Sequence, residues 1–367
     1  MDENEMIAVL RLQNVANIGD VSAKKLISYC GSPAAVFSDK RDHLLKIEGI
    51  GSFTLRGLYD EKHRKAAEEE LAYIQKNNIE YTYFEDANHP KLLKHCTDSP
   101  ILLFKRGNID LTGRKIISVV GTRKITSYGT AFCEKFIEDI ALLNPIIVSG
   151  FAYGVDITIQ KLAVKHGLQT IGCLAHGLNQ MYPKTHAKYI KEVEKNGGFF
   201  TEFWSTSQPE REHFLKRNRI IAGMSEATIV VESAEKGGSL VTADIANSYN
   251  RDVFAVPGRT GDTYSTGCNN LIKQQKAHMM TSAADLVYLL NWDVKEKKTP
   301  SVQKQLFVEL DETEQSIYDY LFENGKQQLD SIALECRLPI FKVSSTLLNM
   351  EMKGVVRPLP GKLFEAL

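Results

Sequence analysis

No stretch of this chain approaches the roughly 18 consecutive apolar residues that a membrane-spanning helix needs, which argues against a helical bilayer span. The six cysteines (Cys30, Cys96, Cys133, Cys173, Cys268 and Cys336) lie far apart and make no CxxC pair, and the nine histidines make no HExxH. That spacing argues against a zinc ribbon or a disulfide framework and suits reduced thiols, so neither a metal nor another cofactor is expected. The opening residues, MDENEMIAVL, carry acids where a secretory signal would carry lysines, and a cytoplasmic location is expected. An excess of charge is also missing: Lys+Arg and Asp+Glu are both 45. A nucleic-acid binder usually leaves a basic footprint, so any phosphate site here must come from a local concentration of cations.

What is present is the balance of a globular protein, 43% apolar and 25% charged, over 367 residues, too many for one ordinary core. Three regions separate by pattern. Residues 1–80 are helical in period, and two segments repeat each other, VANIGDVSAKKLI (15–27) and IEGIGSFTLRGL (47–58). Each has Ile-Gly before an amphipathic run, a helix-hairpin-helix-like pattern in which Gly19 and Gly51 would open helices. Such a module either offers backbone amides to a phosphate or only packs on its neighbour.

Residues 81–290 switch to short β-branched runs alternating with helix-length segments. Predicted strands are KIISVV (115–120), PIIVSG (145–150), QTIGCLA (169–175), GFFTEF (198–203), ATIVVES (227–233) and DVFAVPG (252–258). Near-continuous apolar strands between helices predict a mostly parallel, doubly wound α/β sheet of extended Rossmann-like type, with ligands beyond the carboxyl ends of its strands. Residues 291–305 are charged and aperiodic and read as a linker. Residues 306–367 read as three helices and a hairpin, the order of a winged helix. Its third helix carries Lys342, Ser344, Ser345 and Lys353 but no arginine cluster, so protein contact is as open as DNA contact.

Five loop motifs follow the strands. VGTRKITSYG places Gly121, Thr122 and Arg123 at a turn into a helix, a natural phosphate site or simply a capped turn. In SGFAYGVD (149–156) Asp156 is assigned the structural task of capping a helix and holding nearby backbone. HGLNQMYPKTH (176–186) sets Tyr182 and Lys184 around Pro183, suited to a base stacked beside a phosphate. HFLKRNRIIAG (213–223) crowds Lys216, Arg217, Asn218 and Arg219 together. Three cations that close repel one another without an anion, which points to phosphate binding. ESAEKGGSLVTADIA (232–246) offers Gly237, Gly238 and Ser239 as donors, with Thr242 one turn later. PGRTGDTYSTGCNNLI (257–272) adds Arg259, Gly267, Asn269 and Asn270.

Taken together, VGTRKITSYG, SGFAYGVD, YPK, RNRIIAG, GGSLVTA, AVPG and GCNNLI occur in an order and spacing that resembles the DNA-processing protein A (DprA, or Smf) family. The resemblance implies a single-stranded-DNA-binding Rossmann-like domain, a homodimer, and a non-enzymatic role in loading RecA onto strands, including SSB-coated ones, in natural transformation. Carried over, Arg123, Lys184, Arg217 and Arg219 would hold phosphates and Gly237 to Ser239 would line the same pocket. The dimer contact would fall late in the α/β region, where Leu271, Ile272, Met279 and Met280 are apolar candidates for it or for the chain's own core. The chain departs from the family pattern at Tyr153, Gln160, Leu215, Cys268 and Asn270, losing two potential cations. A different class of reading, a Rossmann-like nucleotide phosphoribohydrolase, would need Asp244 as its acid behind Gly237 and Gly238. Leu240 and Val241 break that motif, and no second convergent acid is apparent.

Overall fold

A computed structural model describes residues 1–292, 310–359 and 363–367. Met1–Trp292 is one compact unit, and the C-terminal residues form another. No helix among the described residues is long and apolar enough to cross a membrane.

The chain begins with α1 (Glu3–Asn14), α2 (Asp20–Cys30), α3 (Pro33–Ser38), α4 (Arg41–Leu44) and α5 (Glu61–Lys76). Asp2 caps α1 by accepting from Glu5 N at 2.9 Å, which satisfies one of the orphan amides of the first turn. The apolar stripe Met6, Val9, Leu10 packs into the same cluster as Leu102, Phe104, Phe151, Leu174 and Phe199 of the α/β region. The first 80 residues therefore share a core with the sheet. Gly19 is the N-cap of α2 with φ −83°, so it opens that helix, as expected, without a positive φ. After Gly51 the chain makes successive turns rather than the expected helix, with Gly49 and Gly57 left-handed at φ 82° and 77° on either side.

Nine strands form one sheet: β1 (Glu80–Tyr83), β2 (Leu102–Gly107), β3 (Ile116–Val120), β4 (Ile146–Ser149), β5 (Thr170–Cys173), β6 (Gly197–Thr201), β7 (Ala227–Val230), β8 (Asp252–Ala255) and β9 (His278–Met279). Their order is β1-β2-β6-β5-β4-β3-β7-β8-β9, with β3 to β9 parallel and β1 and β2 antiparallel at one edge. Six of these strands are the apolar runs read from the sequence. β1 and the two-residue β9 are edge strands without a continuous apolar run, whereas β2 lies inside the sheet and its buried run Leu102, Leu103, Phe104 was passed over in the sequence. The intervening helices are α6 (Lys91–Lys94), α7 (Ser127–Ile140), α8 (Val155–Lys165), α9 (Ile190–Lys195), α10 (Arg211–Met224), α11 (Gly238–Ser248), α12 (Thr266–Lys273) and α13 (Ala283–Leu289). From β3 the chain winds through β4 and β5 to one side, and β7 and β8 lie on the other. The switch point, where such sheets bind ligands, is between β3 and β7.

For two of the four dimer candidates, Leu271 and Met280, this packing favours the chain's own core over a dimer contact. Leu271 and Met280 are buried in the chain's own core and Ile272 packs against it, because α12 lies on β8 and β9 closes the sheet. Of the four, Met279 alone is exposed, at 56%.

The C-terminal unit comprises α14 (Glu312–Asn324), β10 (Gln327–Gln328), α15 (Leu329–Glu335), α16 (Ile340–Met352), β11 (Val356–Leu359) and β12 (Leu363–Ala366). This is the three-helix-and-hairpin winged helix expected from the sequence. Ile317, Leu321, Ile332, Val343, Leu347, Met350 and Val356 give it a core of its own. The expected linker lies, from residue 293 onward, outside the described residues.

Candidate nucleic-acid interface

At the switch point the loops after β3 and β7 are tied together. Thr122 N donates to the Glu232 carbonyl at 2.7 Å, and the buried Glu232 carboxylate accepts from Thr126 N at 2.9 Å and Thr126 Oγ1 at 2.5 Å. Gly154 has φ 76°, and a Cβ there would sit 2.1 Å from the Thr122 carbonyl oxygen, so only glycine lets the β4 loop approach the β3 loop. Asp156 accepts from Gly150 N at 3.1 Å and Ala152 N at 3.4 Å, which is the backbone-holding task assigned to it. Gly237 caps α11, Ser239 Oγ donates to Ser233 Oγ at 3.0 Å, and Thr242 Oγ1 donates to the Gly238 carbonyl at 3.2 Å.

These loops enclose a groove of about 1020 Å³. Its lining includes Gly121, Thr122 and Arg123 from the β3 loop, Asn218 from α10, and Gly237, Gly238, Ser239 and Thr242 at the start of α11. The amino ends of α8 and α11 both open on it, and the partial positive charge of a helix start favours an anion there. Lining charges are Arg123, Lys124, Arg211, Arg217 and Lys236 against the carboxylate of Asp156 alone. Arg123, Lys124, Arg211 and Lys236 are exposed, and among the described residues none is in a salt bridge. Lys124, Arg211 and Lys236 were not singled out from the sequence: Lys124 stands beside Arg123 in the quoted motif, whereas Arg211 lies between Glu210 and Glu212 and Lys236 follows Glu235, acids that mask them.

The RNR cluster is split by helix geometry. At 100° per residue, Arg211, Phe214, Leu215, Asn218 and Ile221 share the groove side of α10, while His213 and Lys216 face away. Lys216 Nζ lies 2.8 Å from Glu202 Oε2, and Arg219 Nη2 lies 2.5 Å from Glu202 Oε2 and 2.9 Å from Asp20 Oδ2. Burial lowers the Arg219 pKa, but the carboxylates of Glu202, Asp20 and Asp98 outweigh it and raise the value. The anion that the crowded cations require is thus supplied by the chain itself, and Arg219 does not line the groove. Arg217 reaches the floor of the groove but is buried, donating to the carbonyls of Gly150, at 2.8 Å, and of Cys173. Burial depresses its pKa, with Asp156 opposing, and raises that of Asp156, with Arg217 opposing. Its first task is holding the β4 and β5 loops. Lys184, in the 3₁₀ helix Lys184–Tyr189, is exposed beside Tyr182 but outside the groove lining.

Four aromatics stand in the lining: Tyr153, Tyr182, Phe214 and Tyr264. Tyr153 and Tyr182 are 44% and 42% exposed, and Tyr182 packs edge-on to Phe214 at 5.7 Å. The Arg123 guanidinium lies 5.4 Å over the Phe214 ring. Exposed rings beside free cations can stack bases while the cations hold the backbone. Asp244, the acid required by the hydrolase reading, pairs with Lys276 at 3.1 Å outside the groove lining.

Comparison with known proteins agrees with this architecture. Residues 80–291 match the sequence profile of DNA recombination-mediator protein A, and residues 303–362 match that of the DprA winged helix domain. The Smf protein of Escherichia coli K12 is 31% identical over 81% of this chain and 80% of its own length. The crystal structure of DNA processing protein A from Streptococcus pneumoniae superposes with a TM-score of 0.67 at 30% identity, over 78% of this chain and 98% of that one. A structure of DNA processing protein A from Helicobacter pylori, described for its single-stranded-DNA binding mode, gives 0.52 at 28% identity over 58% and 96%. With the profile covering more than half of its residues and a groove at the sheet's switch point, this chain belongs to the DNA recombination-mediator protein A family.

Proposed function

We propose that the groove binds single-stranded DNA without base specificity, and that the protein passes the strand to a RecA-type recombinase without chemistry of its own. The observation that carries the reading is the groove's charge: a chain of zero net charge concentrates Arg123, Lys124, Arg211, Arg217 and Lys236 around one engaged carboxylate. Phosphates would lie on Arg123, Lys124, Arg211, Lys236 and the donors of Gly237 to Ser239. Thr122, Asn218 and Thr242 line the same path, and Lys184 extends it at the rim. Tyr153, Tyr182 and Phe214 would receive bases on their π-faces, which every base shares. Family membership supports the mediator role, and the single-stranded-DNA binding mode described for the Helicobacter pylori relative supports the DNA form. Self-association is part of the proposal, since two linked grooves raise affinity through effective concentration.

Filter binding with single-stranded and duplex oligonucleotides of equal length tests it. Single strands should bind tighter, and three to four neutralised phosphates should give a slope of log K against log salt of about −2 to −3. Adding the protein to SSB-coated strands should then speed RecA filament growth with no nucleotide consumed by this chain. Salt-independent binding, or a preference for duplex, would overturn the DNA assignment.

A further inference from the structure

A second, smaller cleft of about 240 Å³ lies between α8 and the 3₁₀ helix Lys184–Tyr189. Thr158 and Lys161 line it from α8, and Thr185, His186, Lys188 and Tyr189 line it from the other side. The ammonium groups of Lys161 and Lys188 lie 5.2 Å and 5.0 Å over the one ring of Tyr189. Both lysines are exposed, and among the described residues neither is in a salt bridge. No carboxylate lines the cleft. The charges of the flanking segments lean the same way. Lys161 and Lys165 on α8, and Lys184, Lys188, Lys191 and Lys195 on the segment that ends with α9, are all exposed. Of the acids there, Asp156 is buried and holds backbone amides, and Glu194 pairs with Arg106, which leaves exposed Glu192.

The cleft is joined to the groove through Tyr153. That side chain lines the groove, its hydroxyl lies 3.1 Å from Thr185 Oγ1, and its ring packs edge-on to His186 at 4.9 Å. α8 runs in the same direction: its amino end opens on the groove, and at 100° per residue Thr158, Lys161 and Lys165 share one face leading away from it. We infer that the cleft holds phosphate of the strand as it leaves the groove, so that a bound strand crosses Tyr153 and continues along α8 toward Lys165. The inference rests on the groove reading above and adds a second segment to that path. Ammonium groups are compact point charges that grip phosphate oxygens without a fixed geometry, which suits a strand with no regular shape. The Thr158 and Thr185 hydroxyls stand beside them as hydrogen-bonding groups.

The test uses the full chain and fluorescence anisotropy with oligothymidylates of about 4 to 16 nucleotides. Affinity of the parent should rise with length as strands outgrow the groove. Lys161→Ala with Lys188→Ala removes two exposed charges, so the melting temperature should stay that of the parent. This pair should bind the shortest strands as the parent does and the longest about five-fold more weakly. Its salt slope on the longest strands should be smaller by about 1.4, two phosphates at about 0.7 each. Lys161→Arg with Lys188→Arg should restore both. Lys65→Ala with Lys76→Ala makes the same charge change at exposed positions of α5 outside both linings, and should leave the length profile unaltered. No loss at any length, the result expected if the cleft takes a free anion instead of the strand, overturns the inference. So does a loss equal at every length, or an equal loss from the α5 pair. In each of these cases binding of the shortest strands still upholds the groove reading. A parent that binds no strand of any length defeats both together.

Discussion

Arg219 and Glu202 form a buried ion pair, 2.5 Å from Nη2 to Oε2, on the side of α10 away from the groove. Asp20 at the start of α2 accepts from the same nitrogen at 2.9 Å and also from Ile101 N at 2.9 Å. One guanidinium therefore ties the N-terminal helices to the sheet. Removing one partner of a buried pair leaves the other charge uncompensated, at about 3–5 kcal/mol. Arg219→Ala should lower the denaturation midpoint accordingly, while the folded fraction keeps its affinity for single strands. Loss of DNA binding with unchanged stability would instead put Arg219 back among the phosphate ligands.

The exposed groove cations should behave in the opposite way. Arg123→Ala, Arg211→Ala and Lys236→Ala each remove a side chain without a partner acid, so thermal stability should stay within about 0.5 kcal/mol. Each lost charged hydrogen bond should weaken oligonucleotide binding by about 1.5–3 kcal/mol. The salt slope should fall by about 0.7 per lost phosphate contact. Fluorescence anisotropy across a salt series measures both quantities at once.

Tyr182→Ala and Tyr153→Ala separate stacking from charge. A stacked base is worth about 1–3 kcal/mol, and losing it should weaken binding while leaving the salt slope unchanged. A change of slope with no loss at high salt would mean that the rings only position neighbouring cations.

His89 gives a pH signature away from the groove. It is 3% exposed, its Nδ1 lies 3.1 Å from Thr82 Oγ1, and burial lowers its pKa to about 4. The folded state thus binds the proton more weakly than the unfolded chain. Stability should be full above the unfolded value of about 6.5, fall as pH drops toward 4, and level off below, a loss of about 3 kcal/mol at most. His89→Gln should flatten that part of the denaturation profile, and an unchanged slope would assign it to other groups.

Local chemistry alone determined the parallel sheet, the winged helix and the glycine-rich loops. Continuous β-branched runs suit only strands covered on both faces, and Gly154 marks where backbone must come close. The grouping of charges was decided by tertiary structure. Lys216, Arg217 and Arg219 are neighbours in sequence, yet α10 turns about 100° per residue and sends Lys216 to Glu202, Arg217 to two backbone carbonyls, and Arg219 to Glu202 and Asp20. Arg211, Lys124 and Lys236, far apart along the chain, meet at the groove only because β3 and β7 are adjacent in the sheet. Leu271 and Met280 show the same division: their apolar character was plain, but which surface they would cover depended on β8 and β9 closing over them. Residue type determines what a side chain can bind. Which partner reaches it first is settled by the packing of elements distant in sequence.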